Sequence, residues 1–223
     1  VHYIKKKILD SLRVSKKELR YTDLMLDGED PRIFRYHLND LVKKGYIRKD
    51  PEGYILSATG ESLSDRLSSN TVNAVKQPKP ITYTYVECQD RVLVWLKPRK
   101  PNIDKYNLIS GKVHFGESII NSSIREVFEK AGIKITRPEL AGWIEFISRG
   151  DARNAKISVI GPVFYAKLNC SLEEARLEDS RDCRWLKLSD ITENSKSPEM
   201  NAVIEVVDQY ERSGYLSFSS FLK

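Results

Sequence analysis

The stretch GKVHFGESIINSSIREVFEKAGI, residues 111–133, decides how the rest of the chain is read. Gly111 and Gly116 punctuate a loop after a short extended run, Tyr106–Ile109. A helix is expected from about Ser118 to Lys130, with Gly132 placed to end it in a left-handed conformation. Ile120, Ile124, Val127, Phe128 and Ala131 are its expected buried side. Glu126 and Glu129 stand three apart and so share a helical face. Paired carboxylates beside a glycine-containing loop suit Mg²⁺ on a phosphate substrate. That ion takes hard oxygen ligands, keeps several waters and bridges to phosphate oxygens.

The spacing is more specific than any of these parts. Gly111, Glu117, Arg125, Glu126, Val127, Glu129, Gly132 and Ile133 follow one another at the intervals of a Nudix box, and the segment resembles one. The resemblance extends over roughly residues 81–213. ITYTYVE and RVLVWLKP read as two opening strands, WIEFIS and KISVIGPVFYAKL as later ones, and DSRDCRWLKLSDI as an acidic segment leading into a Trp-bearing strand. It implies an α/β/α sandwich around a mixed, curved sheet. It also implies hydrolysis of a nucleoside diphosphate linked to another group, with Mg²⁺ (or Mn²⁺) neutralising the diphosphate and an activated water attacking phosphorus. By position, Glu126 and Glu129 would be metal ligands and Glu126 the base. Gly111 would offer a backbone carbonyl, Arg125 would orient the carboxylates, and Glu117 would support the loop. A further acid is sought among Glu173, Glu174, Glu178 and Asp179.

One identity breaks the pattern. Where the box closes on a second consecutive Glu, this chain has Lys130. The exchange alters the site by two charges. Unit charges about 4 Å apart interact by about 4 kcal/mol at an effective dielectric near 20, and Mg²⁺ carries two charges. Lys130 also follows Glu126 by four residues, the favourable order for a helical ion pair, so its ammonium is expected where a metal would lie. A smaller departure is Ser110, where Gly commonly precedes the box.

Upstream, residues 68–80 read SSNTVNAVKQPKP, polar, with two prolines and no periodicity. This is expected to link a domain of residues 1–70 to one of residues 81–223, with 71–80 as the linker proper. In the first domain, Ile4, Ile8, Leu9 and Leu12 share a helical face over Tyr3–Leu12. Thr22 or Asp23 can start a short helix through Leu24–Leu26. Asp30 before Pro31 signals the start of a third helix, Pro31–Lys44, which Gly45 stops. Tyr46–Lys49 and Tyr54–Leu56 flank a Pro-Glu-Gly turn, and a last helix starts near Thr59. This order resembles a winged helix-turn-helix. Arg32, Arg35, Tyr36, Asn39 and Lys43 lie off the apolar stripe of Phe34, Leu38, Leu41 and Val42, and such a face suits phosphates and base edges of double-stranded DNA. The acidic wing tip, Asp50-Pro51-Glu52, favours the alternative of a solvated docking face.

Composition bounds these readings. The 223 residues are 40% hydrophobic and 30% charged, enough for a folded core and unlike a disordered chain. The net charge of +6 divides evenly, three to residues 1–70 and three to the remainder, so charge singles out neither part. No apolar run approaches the roughly 20 residues of a membrane helix. Three dispersed cysteines and three dispersed histidines propose neither a disulfide framework nor a zinc site, and a cytoplasmic protein is expected. Two functions follow. One is a DNA-binding regulator that senses a nucleoside-diphosphate-linked molecule, hydrolysis being weak or lost through Lys130. The other is an active Mg²⁺-dependent hydrolase with an N-terminal docking or dimerisation module. A homodimer is expected of either.

Overall fold

The computed structural model describes residues 2–67, 77–98, 102–149, 155–177 and 182–222. The chain forms two compact units, Val1–Lys76 and Gln77–Lys223. Residues 68–76 of the expected linker lie outside the described residues. Its last two, Lys79 and Pro80, already belong to a strand, because the backbone there pairs in register with Val159 and Ile160.

The smaller unit runs α1 (Tyr3–Val14), α2 (Tyr21–Leu24), α3 (Pro31–Lys43), β1 (Ile47–Asp50), β2 (Gly53–Leu56) and α4 (Ala58–Arg66). This is the element order of a winged helix-turn-helix. The Asp30 carboxylate accepts from the Arg32 amide at 2.7 Å, Pro31 fills the first turn, and Gly45 leaves α3 at φ +71°. Helix α2 starts at Tyr21, earlier than expected. At its start the Asp23 carboxylate accepts from the Arg20 amide at 2.9 Å, and the Asp23 amide donates to the Arg20 backbone carbonyl at 3.0 Å. Ile4, Ile8, Leu9 and Leu12 of α1 pack with Phe34, Leu38 and Leu41 of α3 and with Ile47, Tyr54 and Leu56 of the hairpin. The sequence hid one pairing. Leu19 bridges Tyr54, each amide donating to the other's carbonyl at 3.1 and 2.8 Å, so a third short edge flanks β2.

The larger unit holds β3 (Lys79–Cys88), β4 (Arg91–Leu96), β5 (Tyr106–Lys112), α5 (Ile119–Ala131), β6 (Glu139–Arg149), β7 (Ala155–Leu168), β8 (Cys183–Leu186), α6 (Pro198–Ser213) and β9 (Ser217–Leu222). The seven strands form one mixed sheet in the order β8-β4-β5-β3-β7-β6-β9, with β3–β7 and β6–β9 parallel. Side chains alternate across a strand, which sorts the core into two layers. Tyr83, Tyr85, Val92, Val94 and Leu108 pack with Met200, Val203, Val206 and Val207 of α6. Val86, Leu93 and Ile109 pack with Val127 and Ala131 of α5. The result is an α/β/α sandwich.

Two expectations are corrected here. Gly111 lies in β5, not in a loop, paired with Thr82 of β3. The buried side of α5 keeps Val127, Ala131 and, in part, Ile124, but not the other two residues expected there. Ile120 is 48% and Phe128 47% exposed, while Ser122, Ser123 and Glu126 are buried with Val127 and Ala131. The reason is the opposing strand. Ser123 Oγ lies 2.9 Å from Thr84 Oγ1 and Ser122 Oγ 3.4 Å from Thr82 Oγ1, so small hydroxyls satisfy each other across a close helix–sheet contact.

Gly161 of β7 allows a second close approach. A Cβ there would stand 1.5 Å from the Ile81 carbonyl oxygen of β3. Because the obstacle is backbone in a central strand, Gly161→Ala should destabilise the larger unit by about 3 kcal/mol, at the upper end of overpacking costs. Urea denaturation checks this; a loss under about 1 kcal/mol would contradict it.

Candidate functional site

Strand β5 and helix α5 bring the predicted residues together. Ser118 caps α5, its hydroxyl accepting from the Asn121 amide at 3.2 Å, and Gly132 closes it at φ +71°. The turn before it passes through Gly116 at φ +81°, and the Glu117 carboxylate accepts from the His114 amide at 3.0 Å.

Arg125 is the hub. Its Nε and Nη2 meet the two oxygens of Glu117 at 2.7 and 3.0 Å, a bidentate fork. Its Nη1 reaches Glu126 Oε1 at 2.8 Å and Glu129 Oε2 at 3.0 Å, and Nη2 also donates to the Lys112 carbonyl at 3.0 Å. Helical pitch supplies the Glu129 contact, and the turn around Gly116 folds Glu117 back onto it.

Lys130 occupies the other side of Glu126. Its Nζ lies 3.0 Å from Glu126 Oε2, donates to the Ser110 carbonyl, and sits 4.0 Å from the centroid of the Trp95 ring. The ammonium has three protons and here three partners: a carboxylate, a carbonyl and an aromatic face. Burial, foremost, pulls the Lys130 pKa below its ordinary value, while Glu126 opposes the shift. Glu126 in turn has a cation on each oxygen and lies against Gly111, where a Cβ would fall 1.7 Å from its carboxyl carbon. Glycine at 111 is thus what lets the carboxylate lie flat on the strand.

These residues do not fit Mg²⁺ or Mn²⁺. Among the described residues no group of three His, Cys, Asp or Glu side chains is arranged to hold a metal ion. Both oxygens of Glu126 are paired, Glu129 is drawn to Arg125, and the Ser110 carbonyl faces an ammonium. Of the sought-after extra acids, Glu174 caps its own turn through Ser171 at 2.8 and 2.9 Å. Glu173 is exposed, and Glu178 and Asp179 lie outside the described residues. Trp95 and the Ser110 carbonyl were not legible as partners of Lys130. Alternation along β4 puts Trp95 on the α5 side of the sheet, but only strand pairing brings it to this helix.

The Glu117 carboxyl is pushed down to about 2, chiefly by its hydrogen bonds from Arg125. A depressed folded-state pKa means its stabilisation is complete above the ordinary carboxylate range and is lost as pH falls from there toward about 2. Glu117 should therefore remain ionised at pH 3, visible as an unshifted side-chain carboxyl resonance in a ¹³C NMR titration. Titration near 4.5 would contradict the Arg125 fork.

The surface of α3 in the smaller unit presents Arg32, Arg35, Tyr36, Asn39 and Lys43, all exposed. Arg32 pairs with Asp30 at 3.2 Å, and Arg35 stands 5.6 Å over the Tyr21 ring. His37, by contrast, is buried and stacked 3.9 Å from His2. At the hairpin turn, Asp50 lies 3.9 Å from Arg48.

No family model matches the sequence, and no curated protein matches it. Solved structures do resemble it. A MutT protein from Bacillus halodurans is 22% identical with a TM-score of 0.51, over 65% of this chain and 89% of its own. A Nudix hydrolase from Nitrosomonas europaea is 20% identical with a TM-score of 0.50, over 79% and 92%. The Nudix domain of Shewanella oneidensis NrtR, solved with ADP ribose, is 15% identical with a TM-score of 0.51, over 70% and 99%. The chain has the Nudix fold. At these identities the likeness is one of architecture. No helix among the described residues is long and apolar enough to cross a membrane. Cys88 and Cys170 are not joined in a disulfide.

Proposed function

We propose that this protein is a ligand-responsive regulator in which a winged helix binds double-stranded DNA and the Nudix-fold unit binds a nucleoside-diphosphate-linked molecule without efficient hydrolysis. The observation that carries the reading is the Lys130 ammonium, 3.0 Å from Glu126 and on the Ser110 carbonyl, in the carboxylate set that metal-dependent hydrolysis requires. The exposed basic face of α3 supports the DNA half, and the ADP ribose bound to the NrtR Nudix domain makes that compound a reasonable first probe. The protein is taken to act in the cytoplasm as a homodimer.

Two assays test this. With Mg²⁺ and a panel of nucleoside-diphosphate-linked compounds, turnover should fall at least about a hundredfold below the roughly 1–10³ s⁻¹ usual for enzymes. Ordinary turnover, unchanged in Lys130→Glu, would establish the alternative of an active hydrolase with a docking module. In gel shifts, contacts from Arg32, Arg35 and Lys43 to about three phosphates predict a roughly fortyfold loss of DNA affinity between 50 and 200 mM salt. Absence of any shift at low salt would remove the DNA-binding half.

A further inference from the structure

We infer that the Nudix-fold site takes the diphosphate of its ligand without a divalent cation, because Lys130 is a cation tethered where a metal would otherwise be needed. The inference rests on the ligand-binding reading above and adds how the anion is met.

The charges of the network carry it. Glu117, Glu126 and Glu129 face Arg125 and Lys130, which leaves one net negative charge among five side chains. A carboxylate at position 130 would raise that surplus to three, the condition that calls for a divalent ion. The tethering is geometric as well as electrostatic. Two walls of the Lys130 environment come from the sheet, the Ser110 carbonyl of β5 and the Trp95 ring of β4, and the third is Glu126 on its own helix. A freely mobile surface lysine would not be held on three sides. Its side chain is 20% exposed, and because all three protons are engaged an incoming anion would take the place of the carbonyl or the ring. Lys97 stands just past the end of β4, two residues beyond Trp95. Its Nζ lies 3.9 Å from Glu199, and its side chain is 15% exposed. A diphosphate entering here meets fixed ammonium groups, where a metal-dependent site would present an ion with its waters.

The experiment uses the full chain and two probes. Mn²⁺ alone, followed by electron paramagnetic resonance, should show no binding to the unaltered protein. ADP ribose, followed by calorimetry, should bind with affinities within about twofold of each other in EDTA and in excess Mg²⁺. Lys130→Met, which keeps the stem and removes the charge, should weaken ADP ribose at least about tenfold in EDTA. Mn²⁺ binding to the unaltered protein, or ADP ribose binding abolished by EDTA, would overturn the inference and leave the ligand-binding reading standing. Lack of ADP ribose binding in both buffers would count against that reading for this ligand, while the Mn²⁺ measurement would still decide whether Lys130 replaces the metal.

Discussion

A Lys130→Glu variant should bind Mn²⁺ at least about a hundredfold more tightly than the unaltered protein and should be less stable than it when metal is withheld. The first effect is electrostatic. An ammonium about 4 Å from a divalent ion opposes it by about 8 kcal/mol at an effective dielectric near 20, and a carboxylate at that position attracts it. Hydration and side-chain movement absorb much of this, but a third of the repulsion alone is about 2.7 kcal/mol, or two orders of magnitude in affinity. The second effect follows from what Glu126 loses. Its Oε2 has the Lys130 ammonium at 3.0 Å, and the Glu126 side chain is only 10% exposed. The variant replaces that partner with a like charge. Added Mg²⁺ or Mn²⁺ should restore the melting temperature, because a ligand that binds only the folded state stabilises it by mass action. Calorimetric titration and thermal melts with and without metal measure both effects. Equal Mn²⁺ affinity in the two proteins would mean that Lys130 does not control the cation.

Arg125→Ala should destabilise the larger unit by about 3 kcal/mol, the low end of what breaking a buried ion pair costs. The guanidinium holds Glu117, Glu126 and Glu129 at 2.7–3.0 Å, and its side chain is 21% exposed against 16% and 10% for Glu117 and Glu126. Its removal leaves three carboxylates around one ammonium and frees the Lys112 carbonyl. Arg125→Lys should recover little, since a point charge cannot reproduce the fork on Glu117 or span to the other two acids. Because the unit buries most of this network, the loss should appear as a lower urea midpoint with an unchanged slope. In the same variant the Glu117 carboxyl should return toward the ordinary range. A loss below about 1 kcal/mol, or full rescue by lysine, would show the network to be solvent-screened.

The two variants separate what Lys130 and Arg125 do. Arg125 gathers the carboxylates, as any member of this arrangement needs. Lys130 decides what the gathered carboxylates hold. This is why a change of one residue within an otherwise regular box bears so heavily on function.

The sequence by itself determined the features that depend on neighbours along the chain. The box spacing from Gly111 to Ile133, the Asp30–Pro31 start, the Gly45 and Gly132 stops and the Glu126–Lys130 pair all lie within a few helical turns, where local geometry suffices. Tertiary structure decided the features that depend on strands far away in sequence. Val127 and Ala131 of α5 are buried as read, yet Thr82 and Thr84 of β3 select Ser122 and Ser123 beside them, and Ile120 and Phe128 turn outward. Helix α6 and strand β9 carried no legible motif, and β9 exists because β6 offers it a parallel edge. Lys130 could be paired with Glu126 from spacing alone. Its other two partners, the Ser110 carbonyl and the Trp95 ring, stand 20 and 35 residues away, and only the β4–β5 pairing under α5 brings them within reach.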